Sequence, residues 1–265
     1  MAEEIYHFRL GDFRCITFNE SNRKQQAENV FSNRTAEARA RVLSEFGLNE
    51  GILISAINVL YIEAGDQRIL VDTGLGQGAL YAGLDAEGIA RDSISTIIIT
   101  HGHGDHINGI LLEDGTLAFP KARYFISRAE WEYWHTENRA AEVQAKVMAA
   151  VPEMIKVEDG AEFMPGFRAN LLPGHTPGMM GLLIESGGER MLHIADAAMY
   201  ALQVKYTEWS PALDADTNGS AQTRRQIWER AEREKLMIMG YHYPKSGRGH
   251  VTARDDDRVW QPVFD

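Results

Sequence analysis

The chain has 265 residues, 44% of them hydrophobic and 25% charged, with 24 glycines, 8 prolines and 1 cysteine. This composition excludes collagen-like, low-complexity and disordered polyelectrolyte chains, and the length allows one large domain or two small ones. Acidic residues outnumber basic ones 38 to 27, a formal charge of −11 whose field repels phosphate backbones and anionic lipid, so neither nucleic acid nor a membrane surface is an expected partner.

No stretch approaches the roughly 20 apolar residues of a spanning helix, and the start Met-Ala-Glu-Glu lacks the basic and apolar regions of a secretory signal. A cytoplasmic location is the expectation. Cys15 has no partner, so disulfides cannot hold the fold, and any metal site must be built from histidines and carboxylates.

In chain order, YHFRLGDFRCITF predicts two short strands around the Gly11-Asp12 turn, followed by a polar stretch. Ala38, Val42 and Phe46 recur at helical spacing before Gly47, which predicts an amphipathic helix over 35–46. SAINVLYIEAG and QRILVDTG are β-rich runs joined at Gly65-Asp66, and residues 74–88 read as a glycine-rich loop. ISTIIIT is a nearly continuous β-branched run, expected to be buried on both faces, and it runs directly into HGHGDH. ARYFIS predicts a strand, and RAEWEYWH and residues 138–151 predict helices, with Pro152 as a stop.

In the second half, FRANLLPGH, MGLLIES, ERMLHIAD and KLMIMGYH predict strands, and Ser220 to Glu234 a helix of mixed charge with a solvated face. Strands and helices alternating through both halves argue for a layered α/β architecture. With no linker rich in Pro, Gly or Ser and no internal repeat, one domain over 1–265 is expected.

The strongest chemical signal is His101-Gly102-His103-Gly104-Asp105-His106, in which glycines let the loop turn several ligands toward one point. His175, Asp196 and His242 each follow an apolar strand, where α/β architectures gather ligands. Any one of these alone reads equally as a turn residue. Asp72, ending ILVD, either accepts a hydrogen bond from a ligand histidine or caps a turn.

TIIITHGHGDHINGI, GHTPG, HIAD and GYH, with VDTG before them, resemble the metallo-β-lactamase superfamily of metallohydrolases, whose fold is a four-layer αββα sandwich. LGDF and GRGHV resemble the branch holding N-acyl homoserine lactonases and methyl-parathion-type hydrolases. The resemblance implies two divalent metal ions, Zn²⁺ by default with Mn²⁺, Fe²⁺ or Co²⁺ compatible. His101, His103 and His175 would hold one; Asp105, His106 and His242 the other; Asp196 would bridge them. It further implies attack of a metal-bridging hydroxide on an electrophilic carbonyl or phosphoryl centre, with Asp105 or a metal-bound water relaying the proton.

A small lactone, best an acyl-homoserine lactone, is the expected substrate, and a homodimer is implied by relatives. Organophosphate or aryl-ester hydrolysis on the same site is the alternative, and a mononuclear iron dioxygenase of the persulfide type a third reading. His103, where diiron electron-transfer members carry Glu, tells against that redox role, and Asp196, where dizinc lactamases have Cys, against antibiotic hydrolysis. Homoserine lactonases place a substrate-binding Tyr three residues after the bridging Asp; here Met199 stands there, and the next residue, Tyr200, either supplies the phenol or packs as a core aromatic.

Residues 19–54 resemble an N-terminal lid whose Phe31, Phe46, Leu48, Ile52 and Leu53 either lend apolar surface to an acyl chain or pack as core, and Met179, Met180, Met199 and Trp209 are candidates for an apolar pocket wall or for core. Trp131, Tyr133 and Trp134 read as a packing stripe. His7 and His135 are expected to be surface or packing residues, His193 to point away from Asp196, and His250 to belong to a loop.

Overall fold

The computed structural model describes residues 4–135, 142–254 and 257–264. The first sheet comprises β1 (Glu4–Leu10), β2 (Phe13–Gln26), β3 (Ile52–Ala64), β4 (Gln67–Val71), β5 (Thr96–Ile99), β6 (Arg123–Ser127) and β7 (Ile155–Val157), adjacent in that order. The second comprises β8 (Glu162–Met164), β9 (Phe167–Leu171), β10 (Met180–Ser186), β11 (Glu189–His193), β12 (Met237–Met239), β13 (Arg248–Arg254) and β14 (Asp257–Pro262), likewise adjacent in chain order. The helices are α1 (Ala27–Val30), α2 (Ala36–Glu45), α3 (Ala79–Ala86), α4 (Gly104–Ile107), α5 (Arg128–His135), α6 (Glu142–Ala150) and α7 (Thr217–Glu234). Residues 138–141 of the expected second helix lie outside the described residues.

Three apolar layers define a helix–sheet–sheet–helix sandwich, as the resemblance implies. Between the sheets, Leu60, Ile62, Val71 and Ile98 of the first pack on Phe167, Leu182, Ile184 and Met239 of the second. Outside the first sheet, Ile57, Val59, Leu70 and Ile97 meet Leu80 and Leu84 of α3 and Trp134 of α5. Outside the second, Leu183, Leu192 and Ile238 meet Ile227, Trp228 and Ala231 of α7. Strand β5 is buried throughout, Thr96 followed by three isoleucines, because parallel partners flank it and both its faces are covered.

Trp228 is fully buried, and its indole N–H donates to the Gln203 carbonyl at 3.0 Å. Trp228→Ala is expected to cost about 3–5 kcal/mol, measured as a lower denaturation midpoint at unchanged m-value.

Several expectations need correction. The polar stretch after residue 19 is the second half of β2, which pairs with β3 as far as Gln26↔Ile52, past a bulge between Asn19 and Ser21. The glycine-rich segment 74–88 contains α3, because Leu80 and Leu84 bury one helical face on the first sheet. His250 lies in β13 opposite Gln261 rather than in a loop, held by the backbone ladder to β14. His193 faces inward between the sheets, level with Leu182 and Met239; it is the last residue of β11, and Ala195 takes φ 45°, so alternation cannot be counted through to Asp196.

The expected lid segment is partly sheet. Its helices α1 and α2, with Phe31 and Leu53, form a small core with Met199, Tyr200, Leu202 and Trp209. Phe46 remains 37% exposed. Met179 and Met180 both pack as core, outside and inside the second sheet respectively.

Candidate metal centre

All the candidate ligands emerge from strand ends at one edge of the sandwich. Asp72 follows β4, the HGHGDH loop follows β5, His175 follows β9, Asp196 follows β11 and His242 follows β12. The two sheets are stitched together at this edge by the Met180 N–H, which donates to the Thr100 carbonyl at 2.9 Å.

Ligand atoms of His101, His103, His175 and Asp196 form one group, and those of Asp105, His106 and His242 a second, each with all its atoms within 4.8 Å of one another. In the first, His103 Nδ1 lies 3.1 Å from His101 Nε2 and 2.9 Å from His175 Nε2. Asp196 reaches both groups: Oδ2 is 3.3 Å from His175 Nε2 and 3.0 Å from His242 Nε2, and Oδ1 is 3.2 Å from His106 Nε2. Asp105 Oδ2 stands 3.7 Å from His242 Nε2. Donor atoms about 3.3 Å apart are what a tetrahedral ion with bonds of about 2.0–2.1 Å requires.

The outer ring nitrogens decide which atoms face inward. His106 Nδ1 lies 2.7 Å from Asp72 Oδ2, His175 Nδ1 2.9 Å from Asp214 Oδ1, and His242 Nδ1 2.7 Å from the Ala56 carbonyl. Each partner can only accept, so each Nδ1 carries a proton and Nε2 is the atom turned to the centre, where a bound cation would find a lone pair once any second proton is displaced. Thr100 extends this to His101: its hydroxyl donates to Asp72 Oδ2 at 2.8 Å and therefore accepts from His101 Nδ1 at 3.1 Å.

The electrostatics fit cations. Burial pushes the His101 imidazole well down and that of His103 to about 4, which favours the neutral, ligating form. Burial also opposes charge on His106 and His242, but the carboxylates around them, Asp196 foremost, outweigh it and hold both imidazoles up. Burial would raise Asp196, yet His242, His106 and His101 keep its carboxyl well below the usual range. His106 Nε2 and Asp196 Oδ1 are buried and make no hydrogen bond. Convergent lone pairs, buried carboxylates and unbonded polar atoms are together what two divalent cations would satisfy.

Asp72 lies just outside the two ligand groups. Held at φ 63°, it accepts from the Thr100 N–H and hydroxyl and from His106. Tyr200 is 4% exposed and packs edge-on against Phe31, with a buried hydroxyl close to Ser55. Ser55 in turn touches the Nδ1 edge of His242 at 3.1 Å, the edge facing away from the ligand atoms. These surroundings fit the packed-aromatic alternative, and Tyr200→Phe is expected to leave kcat/KM within about fivefold of the parent.

Several supporting residues escaped the sequence. Asp214, which orients His175, is backed by the fully buried Arg224 of α7 at 3.5 Å, and Arg224 also donates to the Ala197 carbonyl beside Asp196. Tyr241 stacks on His106 at 4.0 Å and donates to the Asp105 carbonyl at 2.6 Å. Glu130 of α5 accepts from Gly102, between His101 and His103. Only Tyr241, adjacent to a candidate ligand, left a local hint.

Comparison with known proteins places this site in context. The sequence profile of the metallo-β-lactamase superfamily matches residues 54–250. An N-acyl homoserine lactonase of Bacillus cereus is 26% identical over 213 residues, 71% of this chain and 81% of its own length. A protein of Bacillus subtilis, YobT, is 28% identical over 141 residues, half of this chain and 58% of its own length. Among solved structures, AidC, a dizinc quorum-quenching lactonase captured with the product N-hexanoyl-L-homoserine, superposes with a TM-score of 0.90 at 22% identity, covering 98% of both chains. The hydrolase AbOPH superposes with a TM-score of 0.87 at 24% identity over the same shares.

Proposed function

The chain belongs to the metallo-β-lactamase superfamily of metal-dependent hydrolases, and we propose that it opens lactone rings at a dinuclear centre, with an acyl-homoserine lactone as the best single substrate. The observation that carries the metal chemistry is the convergence of the two ligand groups on the shared Asp196. The lactone assignment is supported by likeness to the Bacillus cereus lactonase across most of its length.

In this proposal His101, His103 and His175 would hold one divalent ion, Asp105, His106 and His242 the other, and Asp196 would be shared between them. Two such ions, Zn²⁺ by default, supply Lewis acidity toward a substrate oxygen and acidify water toward neutrality. The protein's own part is to keep the imidazoles in the Nδ1–H form, or Nε2–H for His103, and to close most of the centre to solvent. Asp105, at 25% side-chain exposure the most open of the carboxylates here, is placed to accept a proton at its carboxylate and pass it outward. A second copy of the chain as partner belongs to the same reading. Among the described residues, no helix is long and apolar enough to cross a membrane.

AbOPH, as similar in structure as the lactonase, keeps hydrolysis of organophosphates or aryl esters as the second reading. The test joins metal analysis to a panel of acyl-homoserine lactones, aryl esters and phosphotriesters ranked by kcat/KM. Two equivalents of metal per chain and a preference for lactones are expected. Phosphotriesters at the head of the ranking replace the substrate class but keep the centre. One iron per chain with oxygen consumption defeats the hydrolase.

A further inference from the structure

Resting on the metal-centre reading above, we propose that Glu130 is a positioning residue that fixes the two ligand loops of the first metal position against each other. The carboxylate is fully buried. Its Oε1 accepts from the Gly102 N–H at 3.0 Å and from the Trp134 indole at 2.9 Å, and its Oε2 accepts from the Thr176 hydroxyl at 2.6 Å. Gly102 separates His101 from His103, and Thr176 follows His175, so one planar group ties both loops of that position.

The surroundings leave little slack. A Cβ on Gly102 would stand 2.3 Å from the Trp134 indole nitrogen, and one on Gly178 would stand 2.0 Å from the Glu130 backbone nitrogen. Ser127 accepts from the Glu130 N–H at 2.9 Å and donates to the Gly178 carbonyl at 2.6 Å, which locks the start of α5 to the His175 loop. The Gln144 amide donates to the Gly102 carbonyl from α6. Packing alone would be served more cheaply by an apolar residue, since burying a carboxylate is costly unless its oxygens are hydrogen-bonded. Three donors from three places satisfy this one.

The second position is held by other means: Asp72 on His106, the Ala56 carbonyl on His242 and Tyr241 on Asp105. Loss of Glu130 therefore acts on one position and spares the other, which general loosening of the fold would not do.

The experiment measures zinc affinity of the full chain against a chromophoric chelator in two backgrounds. His106→Ala leaves the first position to be read alone, and His103→Ala the second. Glu130→Leu is expected to weaken zinc at the first position by about 10–100-fold and to leave the second within about threefold. Glu130→Gln can still accept from Gly102 and Trp134 through its oxygen and donate to Thr176, so it is expected to rescue the affinity. Thr176→Val cuts only the link between the loops, is expected to weaken the first position by about tenfold, and decides the matter where Glu130→Leu does not fold. Equal losses at both positions, a Gln variant as damaged as Leu, or parental affinity in Thr176→Val overturns the proposal. Failure of both backgrounds to bind zinc at all overturns the metal-centre reading instead.

Discussion

Asp196→Ala is expected to lower lactone kcat/KM by about 10³-fold or more and to reduce bound metal from two equivalents to at most one. Asp196 is the carboxylate within reach of both ligand groups, through Oδ2 to His175 and His242 and through Oδ1 to His106. Stabilisation of transition-state charge by a correctly placed metal is worth several kcal/mol, and each 1.36 kcal/mol is tenfold in rate. The fold should survive. The apolar layers do not depend on this side chain, and the imidazoles that its charge supports become neutral rather than stranded as cations. Metal per chain, kcat/KM and far-UV circular dichroism on one preparation decide the issue. Two equivalents of metal with parental turnover in a folded variant would end the dinuclear account.

The sequence was most legible where side-chain chemistry alone dictates local structure. Strand β5 could be read because all four of its residues are β-branched and three of them are isoleucine. The ligand loop after it could be read because alternating glycines and imidazoles make an unusual string. The second half of β2 could not: Ser21 to Gln26 are polar, and backbone pairing to β3 makes them a strand. Helix α3 was hidden for a related reason. It is preceded by Gly78 (φ 85°) at its N-cap, and its Leu80 N–H is met by the Glu20 carboxylate from β2, a partner no local pattern announces.

The same division runs through the site. Ligands are spaced by the turns that carry them, so they leave a motif. Their supports are recruited from wherever the fold brings an acceptor. Asp214 lies 39 positions from His175, Glu130 lies 28 from Gly102, and Ala56 lies 186 from His242. Asp72 is the exception, legible because it ends a strand beside the ligand loop. These buried supports hold the ligands rigidly, and rigidity is what lets several ligand atoms meet at one point.

Asp72→Asn tests that point most sharply, and it is expected to lower kcat/KM by about 10³-fold or more while keeping nearly the same volume and a residue tolerant of the φ of 63°. The Thr100 N–H, 2.8 Å from Oδ1, requires an acceptor there, so the new amide nitrogen must take the place of Oδ2. It then faces His106 Nδ1 and the Thr100 hydroxyl, both of which now donate to Oδ2. As a donor it forces His106 to accept at Nδ1, which moves the imidazole proton to Nε2, directly into the centre. The Thr100 hydroxyl, having lost its acceptor, turns its proton to His101 Nδ1 and inverts that ring as well. One atom exchanged outside the ligand set thus places N–H groups where lone pairs are needed at both metal positions. Imidazole ¹⁵N shifts of the metal-free protein, taken at a pH high enough to neutralise His106, report the tautomers directly, and zinc titration reports the consequence. Parental tautomers together with parental zinc affinity and turnover would show that Asp72 does not govern the ligands.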